Sequence, residues 1–466
     1  MPRLFARRGS AVAALSLAAA VLRTPVSRAD APPLPGFNAD IAQTSISGVS
    51  SGAFMAVQFA TAWSSVVTGV GAVAGGPFGC SEGSAATALS SCMQGEPTPD
   101  VAAFVARTDV WSRSGAIDNT ANIARQKVYL FSGYNDTVVA RPVGNALHTF
   151  YAHYRPQSLF YQTAIGAGHA QITIAYGGGC ADNGGEFINR CGYDQAGIIL
   201  QHIYGALNPR NEASLGGRVI AFSQRDFTAP RDPADDSLDE QGYAYVPAAC
   251  EARERCRIHV ALHGCRQSHA DIGDAFIRHA GYNEWADTNR IIVLYPQIQA
   301  LGLTALGIAN PESCWDWWGY LDANPTEAPT WMLQSGQQIG AIKAMLDRIT
   351  SGVVAPTASV TPTLAPPSTV AAVDASDTAI DLAWTAVPGA TGYEVFRSTQ
   401  ADPAFHSLAT VGGLSYGDAG LEPATEYRYE VRASDGGAIS SFSAVVSRQT
   451  RHRVPPCREP GTCAVR

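Results

Sequence analysis

The sequence predicts an α/β domain built on a largely parallel sheet, followed by a smaller all-β domain, and three observations carry that prediction. Short apolar runs, KVYLFSG (127–133), SLFYQTAIG (158–166), RIHVALHG (257–264) and RIIVLYP (290–296), suit buried parallel strands. They alternate with stretches of helical spacing, among them residues 53–63 and 331–349, and such alternation places helices on the faces of a parallel sheet. The stretch TSGVVAPTASVTPTLAPPS, residues 350–368, is uncharged and rich in Pro, Thr, Ser and Ala, which marks a linker. Beyond it, TAIDLAWTAVPGATGYEVFRS and LEPATEYRYEVRASD alternate with period two between turn residues, as short antiparallel strands require.

Length and composition agree. A chain of 466 residues, 46% hydrophobic and 15% charged, exceeds what one core usually serves. The start is basic (Arg3, Arg7, Arg8), then apolar over residues 11–22, with small residues at Ala29 and Ala31, the pattern of a signal peptide. The expected divisions are a signal peptide over 1–31, the α/β domain over 37–350, a linker over 351–367, the all-β domain over 368–449 and a cysteine-containing tail over 450–466. Loss of residues 1–31 removes five arginines and one aspartate and moves the formal charge from −8 to −12, which argues against a nucleic-acid partner. No mature segment approaches the ~20 apolar residues of a membrane span, so a soluble protein is the expectation, and a monomer is expected.

The ten cysteines favour an oxidising, extracellular or periplasmic setting. Eight fall in close pairs, Cys80/Cys92, Cys180/Cys191, Cys250/Cys256 and Cys457/Cys463, which leaves Cys265 and Cys314 for each other. None of these spacings resembles a zinc site, so no metal and no cofactor is expected.

The chemistry centres on Gly48-Val49-Ser50-Ser51-Gly52, between a strand-like segment and an apolar helix. In G-x-S-x-G register Ser50 sits at the apex of a nucleophile elbow, and the N–H of Ser51, at the positive end of the helix, is placed to bind an oxyanion. A tight turn with a helix cap is the bland reading, and a serine needs a base and an acid to react. Both follow at strand ends: KVYLFSGYNDTVVA delivers Asp136 and SLFYQTAIGAGH delivers His169, in the order Ser, Asp, His of α/β-hydrolases. For Asp136 an Asx turn is the competing reading. His148, His153 and His202 fall in expected helices, and Asp118, Asp182 and Asp194 end no strand.

RIHVALHGC, residues 257–265, has the form of the strand and HG turn that supplies the second oxyanion N–H, yet it follows the histidine instead of preceding the serine. Placing residues ~213–350 before ~37–210 restores the usual order, so the domain reads as a circularly permuted α/β-hydrolase.

GVSSGAFMA, GYNDTVV, GAGH, VALHGC and CWDWWGY in this order resemble the extracellular polyhydroxybutyrate depolymerases with a permuted catalytic domain, over about residues 37–350. Trp384, Tyr393, Leu421, Tyr427, Tyr429 and Val431 resemble a fibronectin type III domain, also a feature of that family. The resemblance implies a triad of Ser50, Asp136 and His169, an oxyanion hole from the N–H groups of Ser51 and Cys265, and polymer contact by Trp315, Trp317 or Trp318, of which at least one is expected in the core. It implies a secreted serine esterase acting on poly(3-hydroxybutyrate) or related short-chain polyesters and their oligomers. The substrate-binding domain that usually follows is absent or reduced to residues after Thr450, which argues against efficient attack on crystalline polymer. A feruloyl or acetyl esterase, and a degenerate surface-binding module, are the alternatives.

Overall fold

The computed structural model describes residues 31–302, 310–352, 364–400, 405–435 and 440–453. The expected signal peptide apart from Ala31, most of the linker, and Cys457 and Cys463 lie outside them. The chain divides into two compact units between residues 352 and 353.

In the first unit β1 is Thr44–Val49, β2 Val67–Val73, β3 Lys127–Phe131, β4 Ser158–Gln162, β8 Arg218–Ser223, β9 Gln241–Val246, β10 Arg257–Leu262 and β11 Ile291–Tyr295, with β5 Gln171–Thr173, β6 Gly178–Gly179 and β7 Ile188–Arg190 in a small separate sheet. The main sheet runs β4-β3-β2-β1-β10-β11-β9-β8. Neighbours from β4 to β11 pair in parallel, and β9 and β8 run antiparallel at one edge. Counted from β8 to β11 and then from β1 to β4, the strands lie in the spatial order 1-2-4-3-5-6-7-8 of the α/β-hydrolase sheet. The domain is a circularly permuted α/β-hydrolase, opened between the fourth and fifth strands.

Burial explains these strands. Every residue of β1 is buried, as is every residue of β11, which fits central strands covered on both faces. β2 reads VTGVGAV, and its glycines admit the helix Gln195–Tyr204: a Cβ on Gly69 would lie 2.6 Å from the Ile203 side chain, and one on Gly71 2.9 Å from Ile199. The helix expected from residue 331 begins instead at Gln337. Gly336 packs its backbone against Thr330, where a Cβ would meet the carbonyl oxygen at 2.7 Å, so residues 331–333 form a turn whose side chains join the core.

The second unit is a fibronectin type III sandwich. Its strands are β12 Val370–Ala375, β13 Ala379–Trp384, β14 Gly392–Thr399, β15 His406–Val411, β16 Ser415–Ala419, β17 Glu426–Ser434 and β18 Val446–Gln449. They form the sheets β12-β13-β16 and β15-β14-β17-β18. Tyr427, Tyr429, Val431 and Ala433 alternate inward along β17. The Glu422 N–H donates to the Tyr427 hydroxyl at 3.0 Å, which makes Tyr427 the corner tyrosine.

Candidate active site

Ser50 links β1 to the helix α1, Ser51–Ala62, with φ 57° and ψ −125°, a conformation a non-glycine residue adopts only under constraint. Its own N–H donates to the Val73 carbonyl at the end of β2, and its carbonyl accepts from Ala53 and Phe54. The flanking glycines are sterically required: a Cβ on Gly48 would fall 2.2 Å from the Gly52 oxygen, and one on Gly52 2.3 Å from the His263 oxygen. The elbow is thus pressed onto the end of β10, where the second expected oxyanion donor lies.

The adjacent serines are not equivalent. Ser50 is partly exposed, whereas Ser51 is buried and its hydroxyl accepts the Trp315 N–H at 3.3 Å. As the first residue of α1, Ser51 has a backbone N–H with no intrahelical acceptor.

Asp136 stands in the turn after β3. Its Oδ1 accepts the N–H groups of Val138 and Val139 at 2.8 and 2.9 Å, an Asx turn, and its Oδ2 faces His169 Nδ1 at 2.9 Å. One oxygen thus serves the Asx turn and leaves the other free to face the imidazole. Both side chains are buried. With a carboxylate oxygen opposite, Nδ1 carries the proton and Nε2 keeps a lone pair. His148 and His153 lie on the helix Arg141–Tyr154 and His202 on Gln195–Tyr204. Asp118 accepts from Ser65 and Gln334, Asp182 from Gly179, and Asp194 caps the helix Gln195–Tyr204.

The HG turn is held by groups that no local sequence pattern marks. The Ile298 N–H points at His263 Nε2 (3.2 Å), so Nε2 accepts and Nδ1 donates to the Gly264 oxygen at 2.7 Å. Burial holds this ring neutral, its pKa lowered to about 4. Gln267 accepts the Gly264 N–H and donates to the carbonyls of Glu186 and Phe187. A disulfide joins Cys265 to Cys314, and others join Cys80 to Cys92, Cys180 to Cys191 and Cys250 to Cys256.

Ser50, Ser51, His169 and Cys265 border one cleft of about 630 Å³, walled largely by apolar groups that include Phe54, Met93 and Val138. Of the three tryptophans expected at substrate, Trp317 and Trp318 line this cleft. Trp315 does not: it is fully buried and its indole N–H donates to the His263 carbonyl at 3.0 Å. It braces the HG turn from the core. Trp317 stacks on Phe54 with ring centroids 4.2 Å apart, and Trp318 is the partly exposed member. Between Trp315 and Trp317, Asp316 accepts the N–H groups of Gly319, Tyr320 and Leu321 and fixes the turn, with burial raising its pKa to about 7.

Sheet order and the elbow at residue 50 define an α/β-hydrolase scaffold of the serine-hydrolase class. No family model matches the chain. It is 41% identical over 420 residues, 89% of its length and 80% of the relative, to a poly(3-hydroxybutyrate) depolymerase of Delftia acidovorans. It is 37% identical to a polyhydroxybutyrate depolymerase of Talaromyces funiculosus, covering 68% of this chain and 93% of the relative. The crystal structure of a depolymerase from Penicillium funiculosum matches with a TM-score of 0.61 at 35% identity, over 69% of this chain and 99% of that one. A serine-to-alanine variant solved with an (R)-3-hydroxybutyrate trimer gives the same values. The chain belongs to the polyhydroxybutyrate depolymerase family.

Proposed function

We propose that the protein is exported and hydrolyses poly(3-hydroxybutyrate) and its oligomers through an acyl-enzyme on Ser50. The observation that carries this reading is the 2.9 Å contact between Asp136 Oδ2 and His169 Nδ1 beside the constrained Ser50 in an apolar cleft. His169 Nε2 takes the Ser50 hydroxyl proton as Oγ attacks the ester carbonyl, while Asp136 orients the ring and stabilises the imidazolium. The oxyanion is bound by the N–H groups of Ser51 and Cys265, the first reinforced by the α1 dipole. His169 then protonates the departing hydroxyl end of the chain, and a water deprotonated by the same nitrogen releases the acyl half as a carboxylic acid.

The cleft suits an uncharged, methyl-bearing chain, because such a substrate offers few hydrogen bonds and binds mainly through apolar area, here Trp317, Trp318 and Phe54. Export is supported by the signal-like residues 1–31 and by four disulfides, which persist in oxidising compartments. Among the described residues no helix is long and apolar enough to cross a membrane. The test is incubation of the mature protein with amorphous polymer, with products identified by mass. Release of 3-hydroxybutyrate monomers and short oligomers is expected. Hydrolysis of small aryl or acetyl esters with an untouched polymer would overturn the substrate assignment.

A further inference from the structure

Asn183 borders the cleft on the strand-poor segment between β6 and β7. Its carboxamide reaches both catalytic loops. Oδ1 accepts the N–H of Thr137 at 3.0 Å and that of His169 at 2.9 Å, while Nδ2 donates to the carbonyls of Asn135 at 3.0 Å and Ala181 at 3.2 Å. Two N–H groups on one side and two carbonyls on the other fix the orientation of the amide. The two residues that flank Asp136 and the backbone of His169 are therefore held by one planar group.

That group is itself anchored. The Cys180 carbonyl accepts the Gly168 N–H at 2.8 Å, and a Cβ on Gly168 would fall 2.1 Å from the Asp182 oxygen. Asn189 Nδ2 donates to the carbonyls of Cys180 and Asp182, and the Cys180–Cys191 disulfide closes the segment. The residue before His169 and the residue before Asn183 are in backbone contact, so the distance between the acid and histidine loops is set through this strap.

We infer that Asn183 is a positioning residue that sets the Asp136–His169 geometry, an inference resting on the triad proposed above. An Asn side chain has two acceptor and two donor sites, and all four are occupied by backbone, so Asn183 has no capacity left to bind substrate although it borders the cleft. Its removal lets the two loops separate while the apolar walls stay in place. The turnover rate falls, and the affinity for substrate does not.

The test compares wild type, Asn183→Ala, Asn183→Asp and Asp136→Asn on a soluble hydroxybutyrate oligomer, with kcat and KM measured separately and folding monitored by thermal unfolding. Asn183→Ala is expected to lower kcat about 10- to 100-fold, as sub-ångström to 1 Å misplacement of reacting groups does, with KM unchanged. Asn183→Asp keeps the shape and the two accepted bonds. It turns an oxygen toward the carbonyls of Asn135 and Ala181 and places an anion beside His169, so kcat falls and the acid limb of the kcat–pH profile moves upward. If Asn183→Ala fails to fold, Asn183→Asp decides. A folded variant with wild-type kcat, or with raised KM and intact kcat, overturns the positioning role. A fully active Asp136→Asn overturns the triad itself and the inference with it, whereas an inactive Asp136→Asn beside an unaffected Asn183→Ala overturns only the inference.

Discussion

The core of the α/β unit is threaded with polar side chains, whereas the fibronectin unit buries a smaller polar set, Ser398, Asp418, Ser440 and Thr450, with the Tyr429 hydroxyl donating to Asp418, the ion-pair partner of Arg397. Beside β1, on β10, the buried His259 sits between the hydroxyls of Ser45 and Ser47 at 2.7 and 2.8 Å, and Ser47 meets the Tyr282 hydroxyl. His263, Gln267 and Asp316 continue the pattern into the turns around Ser50. A buried polar group costs stability unless it is hydrogen-bonded, so a domain that only spaces or connects has little reason to carry many. In the α/β unit these groups surround the strand and turns that deliver Ser50, and the four described disulfides all lie there too. The contrast puts the denser buried polar framework around Ser50, in the first unit.

The largest effect that tests this division is at the elbow. Ser50→Ala is expected to lower kcat on soluble oligomers by at least about 10⁴-fold, whereas Ser51→Ala, which keeps its backbone N–H, stays within about tenfold of wild type. The reverse result would move the nucleophile to the buried serine.

Replacing Cys265 and Cys314 with serine opens a loop of sequence separation 49 and should destabilise the α/β unit by about 3–4 kcal/mol. Calorimetry should show its transition falling while that of the fibronectin unit stays in place. Equal movement of both transitions would mean that the units do not unfold independently.

Acid should separate the units more gently. Burial lowers the pKa of His259 to about 3 and that of His263 to about 4, from 6.5. Between those values the unfolded chain takes up protons that the folded one refuses, so stability present above pH 6.5 is lost as pH falls. Asp316 acts oppositely, since its raised pKa adds stability as pH falls from 7 toward 3.8. With two histidines opposed by one carboxyl, the α/β unit is expected to lose stability on mild acidification below pH 6.5. A transition that rises on mild acidification would contradict it.

The smallest expected effect is truncation after Gly352, which should leave oligomer hydrolysis within about twofold and polymer adsorption little changed, because Trp384, Tyr393, Tyr427 and Tyr429 are all buried. A tenfold loss of adsorption would make the second unit a binding module.

The sequence made the strand-end residues legible, since Ser50, Asp136 and His169 each follow an apolar run and two of them sit among glycines that a close approach requires. β2 escaped notice because the glycines that admit a helix also dilute its apolar signal. Asn183 was invisible for a different reason: it acts on the backbone of residues 46, 48 and 14 positions away, and its partners have no side-chain signature. Trp315 illustrates the converse, a residue conspicuous in a Trp-rich motif whose indole serves a backbone carbonyl in the core.

The most direct test of the central claim is labelling by a fluorophosphonate, which phosphonylates an activated serine, followed by mass mapping of the peptide that contains both Ser50 and Ser51. The account predicts a single adduct on Ser50, absent from Ser50→Ala and retained in Ser51→Ala. An adduct on Ser51, or none on a protein that still hydrolyses the ester, would contradict it.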